Sequence, residues 1–136
     1  MGYAELHCHS NYSFKEGASS VEELLVRARE LGYPALALTD HDNLCGALHF
    51  AQVARSLDIQ PITGAEITLE DGSHLTLLAA TRQGYGNLCN LITYSYINGR
   101  QNPSLSKVHG TAQVVMVGEG QGGIAQFSGL YQELLH

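Results

Sequence analysis

Short β-like runs alternate with helical ones along this chain. Residues 3–7 alternate between polar and apolar and predict a first strand. After a loop containing Gly17, Ser20 and Glu23 stand at capping-box spacing ahead of VEELLVRAREL, where Val21, Leu24, Leu25, Ala28 and Leu31 recur at helical intervals. Gly32 is the expected stop. ALALTD predicts a buried strand, and residues 44–57 a second helix with Asp42 or Asn43 as its cap and Ala47, Leu48, Ala51, Val53 and Ala54 as its apolar stripe. PITGAEITL and HLTLLAA read as strands three and four, joined through EDGS, where Asp71-Gly72 signals a hairpin and the sheet turns antiparallel. Residues 85–97 predict a third helix, NGRQNPS a loop, QVVMVG a fifth strand, and the end of the chain a short helix.

That alternation is the pattern of βα units around a mainly parallel sheet, so the expected class is α/β. The predicted elements amount to about half of a β/α barrel, which typically takes roughly 250 residues. The expectation is therefore one domain over residues 1–136, a partial barrel that is C-terminally incomplete.

Composition narrows this further. No apolar run is long enough for a bilayer and no signal-peptide pattern is present, so a cytoplasmic domain with no membrane partner is expected. Seven basic against thirteen acidic side chains give a net charge of -6, without the broad positive field that holds a nucleic-acid backbone. Contact with DNA would have to be local or supplied by another domain. Cys8, Cys45 and Cys89 are odd in number and far apart, which argues against a disulfide framework and against a CxxC zinc knuckle.

The candidate chemistry begins with ELHCHSNYS. Residues i and i+2 of a strand share a face, so His7 and His9 can meet one ion while Cys8 points elsewhere; alternatively both are polar loop residues beyond the strand. Asp40 and His41 follow the second predicted strand, where an α/β sheet collects its active-site groups, or they belong to a helix cap. Glu66 lies between apolar neighbours, costly unless it meets a cation or buried partner, though an exposed strand face would also explain it. His74 opens the fourth strand. A strict two-residue turn at Asp71-Gly72 would oppose Glu66 to Leu77 and put Glu66 and His74 on opposite faces; only a bulge or wider turn reunites them. No serine sits in G-x-S-x-G, no phosphate-binding G-x-x-x-x-G-K is present, and GEGQGG lacks dinucleotide spacing.

These segments together resemble the PHP family, the polymerase and histidinol phosphatase domain. The likeness is to its version at the N-terminus of bacterial DNA polymerase III alpha subunits. It is carried by LHCHSNYSFKEGAS, ALTDHDNLCGA, GAEITL and HLTLLAATRQGYGNLCNLI, and the opening YAELHCHSNYSF is most similar to the error-prone paralogues. The resemblance implies a partial, distorted barrel of PHP type. It also implies metal ligands at His7, His9, Glu16, His41, Glu66, His74 and Glu119, with Asp40 orienting a ligand rather than serving as one. Glu16 stands where the family usually has Asp, Glu119 where it often has Cys, and the family's final Asp-x-His pair has no counterpart. The implied cofactors are divalent zinc, manganese or iron, up to three in a complete site. The implied function is metal-dependent phosphoester hydrolysis, including 3′-5′ exonuclease action, with DNA and other polymerase domains as partners. The alternatives are a free-standing phosphatase on a small phosphate ester and a non-catalytic scaffold.

Overall fold

The computed structural model describes residues 2–98, Pro103 and the backbone of 114–118. The expected loop after the third helix, apart from Asn98 and Pro103, the closing helix and Glu119 lie outside the described residues. In chain order the elements are α1 (Val21–Glu30), β1 (Ala35–Leu38), α2 (Ala47–Ser56), β2 (Gln60–Thr68), β3 (His74–Ala79), α3 (Arg82–Ile97) and β4 (Val114–Gly118). The strands form one α/β sheet in the order β1-β2-β3-β4, with β1 and β2 parallel and the other pairs antiparallel.

α1 starts where the capping box places it. Ser20 Oγ accepts the Glu23 N–H at 3.2 Å and Glu23 returns a carboxylate oxygen to the Ser20 N–H at 2.8 Å, satisfying two otherwise orphaned donors. Its apolar stripe, Val21, Leu25 and Ala28, packs with Leu36 and Leu38 of β1 and with Phe50 and Ala54 of α2. Ala35 and Ala37 face the other side of the same strand, against Ile62 and Leu78, which is why all four β1 residues are buried. α3 covers β2 and β3 through Leu88 and Leu91 on Ala65, Ile67 and Leu77. Its start is fixed by Thr81, whose hydroxyl accepts the Gly84 N–H.

Three expectations change. The first strand is reduced to a bridge between Glu5 and Leu36, because the Glu5 carboxylate accepts the N–H groups of Leu6 and His7, donors a ladder would otherwise use. α2 begins at Ala47 rather than at 44. The Asn43 side chain accepts the Cys45 N–H, and that local turn occupies the residues before the helix. The hairpin is wider than two residues. Leu69 donates its N–H to the Ser73 carbonyl at 2.8 Å, and Asp71 accepts both the N–H and the hydroxyl of Ser73. Asp71 is thereby drawn into its own turn, and the register pairs Glu66 with Thr76 and Thr68 with His74. Glu66 and His74 accordingly share a face.

β2 changes partner midway, pairing with β1 through Thr63 and with β3 from Gly64. A Cβ at Gly64 would stand 2.3 Å from the Leu77 carbonyl oxygen, so the crossover closes only without a side chain. Among the described residues no helix is long and apolar enough to cross a membrane.

Candidate metal centre

The segment carrying the histidine pair is fastened beside β1. Thr39 donates its N–H to the Cys8 carbonyl and accepts the Cys8 N–H at its hydroxyl, both at 2.9 Å. His7 and His9 flank that anchored residue. Nε2 of His7 lies 2.5 Å from Oε2 of Glu66, and Nε2 of His9 lies 3.6 Å from the same oxygen.

Asp40 organises the next turn of chain. Its carboxylate, 2% exposed, accepts the Ser10 N–H at 2.7 Å, the Ser10 hydroxyl at 2.8 Å and the Ser13 hydroxyl at 2.6 Å. Ser13 Oγ in turn accepts the His41 N–H. Asp40 therefore touches no imidazole; it fixes the serine loop, and through Ser13 the backbone of His41. The loop returns tightly: a Cβ at Gly17 would fall 1.9 Å from the Ser10 carbonyl oxygen. Lys15 adopts the left-handed region at φ 69°, and the following Glu16 comes back to His41.

β1 ends at Leu38, but the parallel pairing resumes for one pair at the rim, His41 with Glu66. Nδ1 of His41 meets the Glu16 carboxylate at 2.8 and 2.9 Å. Its Nε2 lies 2.6 Å from the Thr68 hydroxyl, which donates to Asp42 at 2.7 Å. Thr68 and Asp42 form an orienting pair that sequence reasoning missed, since Asp42 reads as a helix cap. The only signal was Asp42 next to His41. Nδ1 of His74 lies 3.1 Å from Oε1 of Glu66.

The described candidates thus gather around one buried carboxylate. His7, His9 and Glu66 form one group, and His41, Glu66 and His74 a second; within each, donor atoms lie within 4.8 Å of one another. Glu66 is common to both. Glu16 joins through His41 and lies 3.6 Å from Nδ1 of His9.

The electrostatics follow from this crowding. The hydrogen bond from His41 holds the Glu16 carboxyl below its ordinary range. Burial alone would lower His41, but its bond to Glu16 and the charges of Asp42, Glu16 and Glu66 raise it overall. Burial, with Glu5 and Asp40 nearby, pushes Cys8 up to about 11, which keeps it a thiol at neutral pH in the metal-free protein.

The donor set suits a divalent ion. Nε2 of His9 is buried with no hydrogen-bond partner, and as the unprotonated nitrogen it offers a lone pair that a cation would satisfy. Its 3.6 Å separation from Glu66 Oε2 is close to the roughly 3.4 Å between two ligands about 2.1 Å from one tetrahedral zinc. The His7–Glu66 contact is shorter and would open on coordination.

An α/β sheet that collects four imidazoles and two carboxylates at one rim has the donors of proteins that bind borderline divalent metals. Residues 5–131 match the family described as PHP domain, and the chain belongs to that family. Among curated proteins, it is 52% identical over 97 residues to an error-prone DNA polymerase of Symbiobacterium thermophilum, an alignment covering 71% of this chain and 9% of that protein. It is 56% identical over 91 residues to the one from Pseudomonas aeruginosa, covering 67% and 9%. Over 125 residues it is 40% identical to that of Cutibacterium acnes, covering 82% and 11%. The chain thus spans about a tenth of the length of these relatives. Among solved structures, a protein assigned as a metal-dependent phosphoesterase from Bifidobacterium adolescentis superposes with a TM-score of 0.56 at 21% identity, over 69% of this chain and 33% of that one. An amidohydrolase from Chromobacterium violaceum, with bound sulfate and no metal, gives 0.58 at 27% identity, over 71% and 34%.

Proposed function

We propose that this rim binds divalent metal ions and hydrolyses phosphate esters, within a longer protein of the error-prone DNA polymerase type. The observation that carries the reading is Glu66, one buried carboxylate presented to two pairs of imidazoles. His7 and His9 would hold an ion with Glu66 on one side, and His41 and His74 with Glu66 on the other. Glu16 adds a carboxylate at the open edge. Glu119, outside the described residues, is the seventh candidate ligand. The mixed nitrogen and oxygen set suits zinc, manganese or iron.

Bound ions would supply a lowered water pKa and stabilise charge on phosphoryl oxygens. The chain's own part is positional. Thr68 and Asp42 fix the His41 ring, Asp40 and its serines fix the loop carrying Glu16, and the low exposure of Glu66 keeps water from competing for its charge. No side chain is needed as nucleophile.

The names of the relatives support a parent that copies DNA, and we read that parent as a cytoplasmic protein whose further domains, with DNA, are the partners of this chain. We read residues 1–136 as part of one PHP domain whose sheet belongs to a distorted β/α barrel. The test is metal analysis of the purified chain together with hydrolysis of bis(p-nitrophenyl) phosphate in manganese and in zinc. Bound metal, with turnover that the His7→Ala and His9→Ala double variant loses while still folded, is the expected result. No metal bound under any loading condition would overturn the reading in favour of a scaffold.

A further inference from the structure

Two residues before His7 stands a carboxylate that belongs to neither donor group. Glu5 Oε1 accepts the Leu6 N–H at 3.0 Å and the His7 N–H at 3.1 Å, and Oε2 accepts the Tyr3 hydroxyl at 2.8 Å. Both oxygens are thereby committed, and Glu5 is absent from the two groups able to share an ion. We propose that Glu5 is a positioning residue for His7. Its carboxylate clamps the backbone from which that imidazole hangs, and so sets the group formed by His7, His9 and Glu66 without bearing on the one formed by His41, Glu66 and His74. The inference rests on the metal-binding reading of the rim and adds a residue that serves one half of it.

The way the histidine segment is hung carries the argument. A regular ladder would give its N–H groups backbone acceptors, but the pairing is a single bridge, Glu5 with Leu36, in which the Glu5 carbonyl accepts the Ala37 N–H at 2.9 Å. Beyond that bridge side chains take over as acceptors. Leu6 and His7 donate to Glu5, Cys8 donates to the Thr39 hydroxyl, and Ser10 donates to Asp40. Thr39 and Asp40, which follow β1, hold the half of the segment that carries His9; on the side of His7 the holding group is Glu5. An imidazole in a staggered rotamer reaches only where the backbone aims its Cβ, so a fixed backbone at His7 is what brings Nε2 to 2.5 Å from Oε2 of Glu66 and sets the ring edge-on to His9, with centroids 5.2 Å apart.

Glu5 is itself braced. The Tyr3 ring, whose hydroxyl holds Oε2, leans on the ring of Tyr33 with centroids 5.0 Å apart, which ties the clamp to the turn between α1 and β1. Hydrogen bonds to an ionised carboxylate are roughly twice as strong as neutral ones, so the clamp suits a segment that is only half-buried.

The experiment follows the imidazole C–H signals of His7, His9, His41 and His74 by NMR as zinc is added to the metal-stripped full chain. Glu5→Ala should raise the zinc concentration at which His7 and His9 respond by about 10-fold to 100-fold, the loss typical when a group that orients a ligand is removed. His41 and His74 should move much less. Glu5→Gln, whose amide oxygen can still accept both N–H groups, should rescue most of the loss. Tyr3→Phe, which releases Oε2 alone, should show a smaller loss of the same kind. Equal weakening at all four histidines in Glu5→Ala would overturn the inference and leave Glu5 a structural residue, and so would an unchanged response of His7 and His9. Where Glu5→Ala does not fold, Tyr3→Phe decides by the same criterion: selective loss at His7 and His9 sustains the inference, and no loss overturns it. Zinc that shifts no imidazole of the unaltered chain would sink the metal reading of the rim. The metal-free spectra then decide on Glu5: its removal should shift His7 and leave His41 and His74 in place, and an unmoved His7 would overturn the positioning role.

Discussion

Glu66 is bonded to both neighbours of His41: its N–H donates to the Asp40 carbonyl at 3.1 Å, and its carbonyl accepts the Asp42 N–H at 2.7 Å, which sets His41 opposite Glu66. Residues opposed in this way send their side chains to one face, which brings Nδ1 of His41 to 4.0 Å from Oε1 of Glu66. The backbone alone therefore commits a carboxylate and an imidazole from separate segments to the same rim.

Glu66→Gln keeps the shape and removes the charge shared by both histidine groups. Manganese affinity by calorimetry should fall by more than the roughly 100-fold that loss of an outer partner can cost. Circular dichroism should be unchanged.

Thr68→Val and Asp42→Asn each release the His41 ring without deleting it. Metal affinity should drop by about 10-fold to 100-fold in each. The double variant should lose little more than either single one, since both residues act through one hydrogen-bonded chain.

Asp40→Ala strands the Ser10 N–H and two hydroxyls in a buried position. We expect a loss of about 2–4 kcal/mol in urea unfolding. Asp40→Asn, which can still accept at one oxygen, should lose less.

Two glycines should respond in opposite directions. Gly64→Ala places a methyl 2.3 Å from backbone and should cost about 3 kcal/mol. Gly86→Ala in α3 meets nothing within 4 Å and should stabilise by roughly 0.5–1 kcal/mol, read as a rise in Tm.

In metal-stripped protein, Glu16 and His41 give stability a pH window. The Glu16 contribution is present above its unfolded value of 4.5 and is lost as pH falls through its lowered folded value. The His41 contribution is present below its unfolded value of 6.5 and is lost as pH rises through its raised folded value. Both are full between pH 4.5 and 6.5. Unfolding midpoints across pH should decline on both sides of that window, and Glu16→Gln should flatten both slopes.

Much of the α/β order is legible from local signals. Ser20 and Glu23 announce α1 because both partners of the capping box lie three residues apart. The alternation of Ala35 and Ala37 with Leu36 and Leu38 is hidden by contrast, since burial on both faces erases the polar half of the pattern. What the sequence conceals are side-chain bonds that span distance or compete with the ladder. Glu5 takes two donors from the expected first strand, Asp71 widens the hairpin, and Asp42 leaves the helix start for Thr68, 26 residues away. None of these has a period. The hairpin decides whether His74 joins the rim, and only the register of Thr68 with His74 resolves it.

His7 and Glu66 are 59 positions apart, and the serines held by Asp40 precede it by 27 and 30. During vectorial synthesis both early imidazoles emerge well before the buried carboxylate that the two histidine groups share. The serine latch can close once β1 has emerged, the shared carboxylate arrives with β2, and His74 comes last of the three. A nascent chain cut short before residue 66 thus carries three of the four rim imidazoles, His7, His9 and His41, but not the carboxylate that both histidine groups share, and cannot assemble either group around an ion.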